Sequence, residues 1–356
     1  MQEEKKKRKQ TSPLAIVAIA ILLIVAVVAG VMAFRFHNSN QLLTRDKRML
    51  EERLSAYDGG YTAAEHEAAV EKEKEAVRQE LLAYFKDGMS TGGRGPLDSV
   101  RALFPDDIII AYEGSYVFHA IDESIPRHGF SEDDFETDPD GFVAYTGTDM
   151  NVRTFKGIDV SQHQGNIDWT RVAEAGVKFA MIRVGFRGWG ITGSLNVDET
   201  FEQNVTGAYE NGIAVGVYWY PASLDTYEAE QEAEFVIETI EPYRDMITYP
   251  VALDLELPET TQSRVYGQPK ETVTDNALAF LKKIEAAGYD AMVYGNLTTS
   301  VVMTEPARLQ DYPMWVAWYE VPQYYPYAFS MWQTTAKGRV DGILTDVDLN
   351  IQVVTE

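Results

Sequence analysis

YPVALDLELPE, residues 249–259, begins as a buried β-strand and ends in acids. Tyr249, Val251, Ala252 and Leu253 are apolar, and the run is too short for a good helix. Asp254 and Glu256 then flank a single leucine. Side chains alternate along a strand, so residues i and i+2 share a face with Cα atoms about 7 Å apart. Two carboxylates on one face are costly to bury together. Either they end an exposed strand by accident, or the chain uses them there.

The surroundings repeat this strand. From residue 156, short apolar runs predict strands near 156–160, 178–184, 213–219, 249–256, 290–295, 314–318, 328–333 and 343–349. Helices fit 168–175, 199–211, 226–241 and 271–287, with Gly212 and Gly288 as stops after two of them. Strands alternating with helices predict an α/β fold, a β/α barrel with its later helices trimmed; a doubly wound open sheet is the alternative. In such a barrel the active site lies at the C-terminal strand ends. Acids fall at three of these ends: Asp159 in GIDVSQHQG, Asp254 with Glu256, and Asp346 with Asp348 in TDVDLN. Barrel closure would make Asp159 and Asp348 neighbours. Asp346 shares parity with Asp348, so strand alternation does not choose between them. Tyr218, Tyr220, Tyr294, Trp315, Tyr319 and Trp332 fall at other ends. Acids among aromatics suit a sugar, whose faces stack and whose hydroxyls need acceptors. Core packing for the aromatics and divalent-metal binding for the acids are the competing readings. His163 reads as a loop hydrogen-bonding residue, and His119 and His128 lack metal-ligand spacing.

The chain has 356 residues, 45% of them apolar, no cysteine and a net charge of −24. Disulfides and thiolate chemistry are excluded, and the charge argues against a nucleic-acid partner. KKKRK, residues 5–9, precedes an uncharged run at 14–34. Twenty-one helical residues span roughly 31 Å, the thickness of a bilayer core. The pattern predicts a cytoplasmic tail over 1–12, a transmembrane helix over 13–34, and residues 35–356 outside the cytoplasm, a signal-anchored single-pass membrane protein. Charged residues with Leu43, Leu50, Tyr57, Val70, Val77 and Tyr84 at seven-residue spacing predict a helical spacer and linker over 35–95, with a hinge at Asp58-Gly59-Gly60. Self-association through residues 40–86 is an expectation of that pattern. Residues 96–152 read as a small α+β unit with strands at 108–112 and 116–121 joined at Glu113-Gly114. GMSTGGRGP at 88–96 and the acidic stretch within 133–152 read as linkers. The last domain spans 153–356.

GIDVSQHQGNIDW, VALDLE, MWVAWY and MWQTTAKGRVDGILTDVDLN occur in that order. Together they resemble the family 25 glycoside hydrolases, lysozymes that cut peptidoglycan between N-acetylmuramic acid and N-acetylglucosamine. The resemblance covers residues 155 to about 353. It implies a flattened β/α barrel, retention of anomeric configuration, peptidoglycan glycan strands as partner, and no metal or cofactor. By it Glu256 is the general acid/base, Asp254 the acid beside it, Asp159 the acid of the first strand and Asp348 that of the last. Tyr218, Tyr294, Tyr319, Trp332 and Gln333 match positions lining the groove. Whether Asp254 attacks directly or orients the substrate's N-acetyl group stays open at this level. A glycan-binding barrel without catalysis is the alternative function.

Overall fold

The computed structural model describes residues 63–91, 95–258, 260–319, 321 and 323–355. The expected tail, membrane span and hinge, with residues 35–62 of the spacer, lie outside these. Among the described residues no helix is long and apolar enough to cross a membrane. The chain divides into two compact units. The first is described by a single helix, α1 (Ala63–Thr91). It runs through Gly88, where a linker was expected; one glycine weakens a helix by only about 1 kcal/mol, and no proline falls between Ala63 and Pro96.

The second unit opens with α2 (Gly95–Leu103), then the hairpin β1 (Asp107–Tyr112) and β2 (Ser115–Ala120). Its turn is the expected Glu113-Gly114, both residues at positive φ. A second hairpin, β3 (Phe135–Thr137) and β4 (Val143–Tyr145), follows. Then come β5 (Val152–Val160), α3 (Trp169–Glu174), β6 (Phe179–Arg187), β7 (Leu195–Val197), α4 (Phe201–Glu210), β8 (Ala214–Tyr220), α5 (Thr226–Ile240) and β9 (Ile247–Asp254). The chain ends with α6 (Lys270–Ala286), β10 (Ala291–Asn296), α7 (Pro306–Leu309), β11 (Met314–Ala317), β12 (Met331–Gly338) and β13 (Val347–Thr355).

Eight of these strands close a barrel in the order β5-β6-β8-β9-β10-β11-β12-β13. The seven from β5 to β12 run parallel, while β13 is antiparallel to both neighbours. This corrects the expected last strand at 343–349 with acids at its far end. Residues 343–346 are a turn, β13 starts at Val347, and its start lies at the end of the barrel where the parallel strands finish. Asp348 consequently pairs with Asp159.

Strand alternation sorts the barrel into two faces. Phe179, Met181, Ala252, Met292, Tyr294, Trp315 and Met331 fill the interior. Gly157 and Gly216 make room for them: a Cβ at either would run into the Phe179 ring or Met181. The outer faces of the early strands pack against α3 to α6 in one large core. After β10 the helices dwindle to the four residues of α7. There the N-terminal α+β unit takes their place. Ile108, Ile110, Phe135 and Val143 share a core with Val316, Trp318, Trp332 and Ile351. The stretch expected as a linker within 133–152 is therefore a folded hairpin. Its acids build the turn: Asp138 Oδ1 accepts from the backbone N–H of Asp140 and Phe142. Its scattered apolar residues, Phe135, Phe142 and Val143, are buried.

Candidate active site

The inward-facing residues at the C-terminal ends of the parallel strands converge on a cleft of about 870 Å³. Asp159, Tyr218, Asp254, Glu256, Tyr294, Tyr319, Gln333 and Asp348, all expected site residues, line it. Trp332 does not. It neighbours Gln333 on β12, so it points to the opposite face. There it is fully buried, stacks edge-on with Phe135 and donates its Nε1–H to the Trp318 carbonyl at 2.6 Å. Trp315, one of the strand-end aromatics, lines the cleft instead. Asp346 is exposed and pairs with Arg339, which decides for Asp348.

The strand of the opening motif ends at Asp254, which closes β9, while Glu256 stands two residues beyond it on the loop. Asp254 is sunk in the cleft floor and Glu256 is exposed. The strand ends too early to draw Glu256 into the floor.

Asp159 is the best supported carboxylate. Its Oδ2 accepts from Gln333 Nε2 at 2.8 Å and from Asn350 Nδ2 at 2.7 Å. Each donor is fixed in turn. Gln333 Oε1 accepts from the hydroxyls of Tyr294 at 2.9 Å and Tyr319 at 2.8 Å. Asn350 Oδ1 accepts from Trp315 Nε1 at 2.8 Å. Both amide orientations follow from these bonds, so a web of five side chains holds one acid. Asp254 contrasts with it: its Oδ1 is buried with no hydrogen-bond partner among the described residues.

Burial raises the Asp254 carboxyl well above the usual range, and the charges of Glu256 and Asp159 push the same way; Arg183 opposes. Asp348 is pushed up to about 9, by burial first and then by the charge of Asp159, to which it is hydrogen bonded. Asp159 is raised by burial despite its three hydrogen-bonding neighbours. Four acids crowd one cleft and cannot all ionise, so the cluster holds protons at neutral pH. Arg183 is the cation that faces them, and Asp198 Oδ2 engages it at 2.7 Å from both Nε and Nη2. Burial also raises Tyr218 and Tyr294, so both hydroxyls stay protonated donors. Among the described residues no group of three or more His, Asp or Glu has metal-binding geometry. His163 borders the cleft, with its backbone N–H on Ser161 Oγ.

Arg183 and Asn350 were not singled out from sequence. Asn350 carried a signal: it is two residues from Asp348, hence on the same inward face. Arg183 lay inside an apolar run, where a charge needs a partner, here Asp198.

Sequence comparison matches residues 158–343 to the family described as Glycosyl hydrolases family 25. Lysozyme M1 of Streptomyces globisporus is 30% identical over 206 residues, 55% of this chain and 66% of that protein. The uncharacterized protein YegX of Escherichia coli K12 is also 30% identical, over 56% of this chain and 69% of its own length. A solved structure of the modular autolysin LytC from Streptococcus pneumoniae, in complex with a synthetic peptidoglycan ligand, shares the fold with a TM-score of 0.51 and 22% identity. That likeness covers 68% of this chain and 57% of LytC. This chain thus spans about two-thirds or less of the Streptomyces lysozyme and of LytC. The matched segment holds three of the four cleft acids, and the closed barrel presents all four at one mouth: the chain belongs to family 25 of the glycosyl hydrolases.

Proposed function

We propose that the barrel hydrolyses peptidoglycan, cutting the β-1,4 bond between N-acetylmuramic acid and N-acetylglucosamine with retention. The observation that carries this reading is the unequal placement of Asp254 and Glu256. Glycoside cleavage needs a group that donates a proton to the leaving oxygen and then activates water. Glu256, exposed at the rim, can exchange protons with solvent between the two steps. Asp254 is sunk in the floor with one oxygen unpartnered. It suits a fixed substrate contact: it holds the N-acetyl group for attack on the neighbouring carbon and stabilises the positive charge that develops. Asp159 and Asp348 share a hydrogen bond and form one wall of the cleft. Tyr218, Tyr294 and Tyr319 offer hydroxyl donors and ring faces to the sugars.

The test is mass spectrometry of wall fragments after digestion with residues 63–356. Products ending in N-acetylmuramic acid at the reducing end are expected; N-acetylglucosamine there would overturn the bond assignment. Glu256→Gln keeps the shape but not the donatable proton. It should lower the rate about 100-fold or more, since positioned proton transfer contributes 10²–10⁴-fold. A near wild-type rate would remove Glu256 from the acid/base role.

We further propose that residues 13–34 anchor the chain in the membrane with the barrel on the wall side. The basic cluster before an uncharged run of bilayer length supports this. Protease added to protoplasts should then remove the barrel; a barrel protected until lysis would refute the orientation.

A further inference from the structure

The cleft does not end at Tyr319. On its far side lies a second depression of about 590 Å³, and Tyr319 borders both. A volume of this size falls in the range of small-molecule sites, about 300–1,000 Å³. One wall is β12 after Gln333. Register shifts between Gln333 and Thr335, and between Thr335 and Gly338, break its pairing with β13. Such bulges re-aim side chains, and here Thr335 and Lys337 turn to the groove. The opposite wall is the β3–β4 hairpin, through Thr137, Pro139 and Gly141.

That hairpin is a fixed wall. Lys156 Nζ on β5 pairs with Asp138 Oδ2 at 2.8 Å and Asp140 Oδ2 at 3.2 Å. It also sits 4.9 Å from the centre of the buried Phe142 ring. Asp138 thereby ties its own turn with one oxygen and the barrel with the other. Lys337, by contrast, is exposed and has no ion pair among the described residues. The hairpin lies before residue 158, outside the segment matched to the family. This wall therefore comes from outside the matched segment.

We propose that this groove is a second segment of the glycan cleft. It takes the sugars of the same strand that continue past Tyr319, with Lys337 facing the carboxylates of their peptide stems. The inference rests on the peptidoglycan reading above. Continuity through Tyr319, which borders both depressions, identifies the occupant: a polymer leaving the acids on that side enters this groove. An unpaired ammonium on an otherwise acidic protein marks where anionic substituents are met.

The experiment compares kcat/KM on defined glycan strands, a tetrasaccharide and an octasaccharide, with and without peptide stems, using the full-length chain. The octasaccharide should be cut about tenfold more efficiently than the tetrasaccharide, the gain from about 1.4 kcal/mol of added binding. Thr137→Trp fills the groove from the hairpin side and should bring that length ratio, measured within the variant, close to one. Lys337→Glu should lower the preference for stem-bearing over stem-free octasaccharide. Because each readout is a ratio within one protein, partial misfolding does not mimic it. A wild-type enzyme indifferent to length, or wild-type ratios in both variants, would overturn the groove while leaving the muramidase reading intact. Failure to cut either length would overturn that reading itself.

Discussion

Glu232 and Asp254 are both buried carboxyls beside the same cleft, and their surroundings are opposite. Glu232 is 0% exposed on α5, behind the outer face of β8. Its Oε1 accepts from Arg187 Nε at 2.6 Å and from the Ala222 N–H, and its Oε2 from Trp219 Nε1 at 3.0 Å. Arg187 spends its remaining donors on the carbonyls of Gly193 and Glu228, both at 3.0 Å. Asp254 is 8% exposed, with one oxygen bare and other acids for company. A buried carboxyl that serves architecture is saturated with donors, whereas Asp254, to which the proposed function gives a chemical role, is left with capacity to spare. The two are linked, because Ala222 borders the cleft and the loop after β6 carries Gly193 and the rim residue Trp189.

The largest effect should come from the saturated side. Glu232→Ala leaves Arg187, the Trp219 indole and the Ala222 N–H without their acceptor. Removing one partner of a buried ion pair costs about 3–5 kcal/mol, to be read as a fall in the denaturation midpoint. An unchanged midpoint would make the two carboxyls alike and break the comparison. Burial pushes Glu232 up to about 7 against its donors. Its own titration therefore costs stability as the pH climbs from 4.5 through 7.

The bare side should respond smaller and with the other sign. Asp254 and Asp348 have raised carboxyls, so the folded state holds protons that the unfolded chain has released. Stability is then lost as pH rises above the unfolded value of 3.8, for Asp348 up to about 9. Asp254→Asn and Asp348→Asn remove that loss. Their Tm advantage over the wild type should be absent below pH 3.8 and widen toward pH 9 for Asp348→Asn, as activity falls. A gap independent of pH would show that burial does not set these carboxyls.

The sequence carried the barrel because periodicity is a local property. Eight apolar runs sit where eight strands form, shifted by a few residues at most, and Gly212 and Gly288 take the positive φ expected of helix stops. Direction is not local. ILTDVDL looks like one strand, yet its first half is a turn, and Asp348 reaches the cleft because β13 runs backward. The choice of Asp348, the acid that reaches the cleft, followed from the family motif, where strand parity alone left Asp346 equal. Trp332 was misplaced for a related reason: being near a strand end does not say which face a residue occupies, and its partner Gln333 took the inward one. The hairpin at 135–145 was hidden because Glu136, Asp138 and Asp140 are interspersed with Phe135, Phe142 and Val143, whose burial depends on a bare strand face far along the chain.

The reversal of β13 also orders events in time. Asp348 and Asn350 meet Asp159 across about 190 residues of chain, and β13 supplies both contacts β5 needs on that side. Contacts of such separation form late. A chain emerging N-terminus first could gather the first seven strands, yet Asp159 would have only Gln333 of its two amide donors and the mouth would lack its fourth acid. The cleft is therefore incomplete until β13 has been made and has docked beside β5.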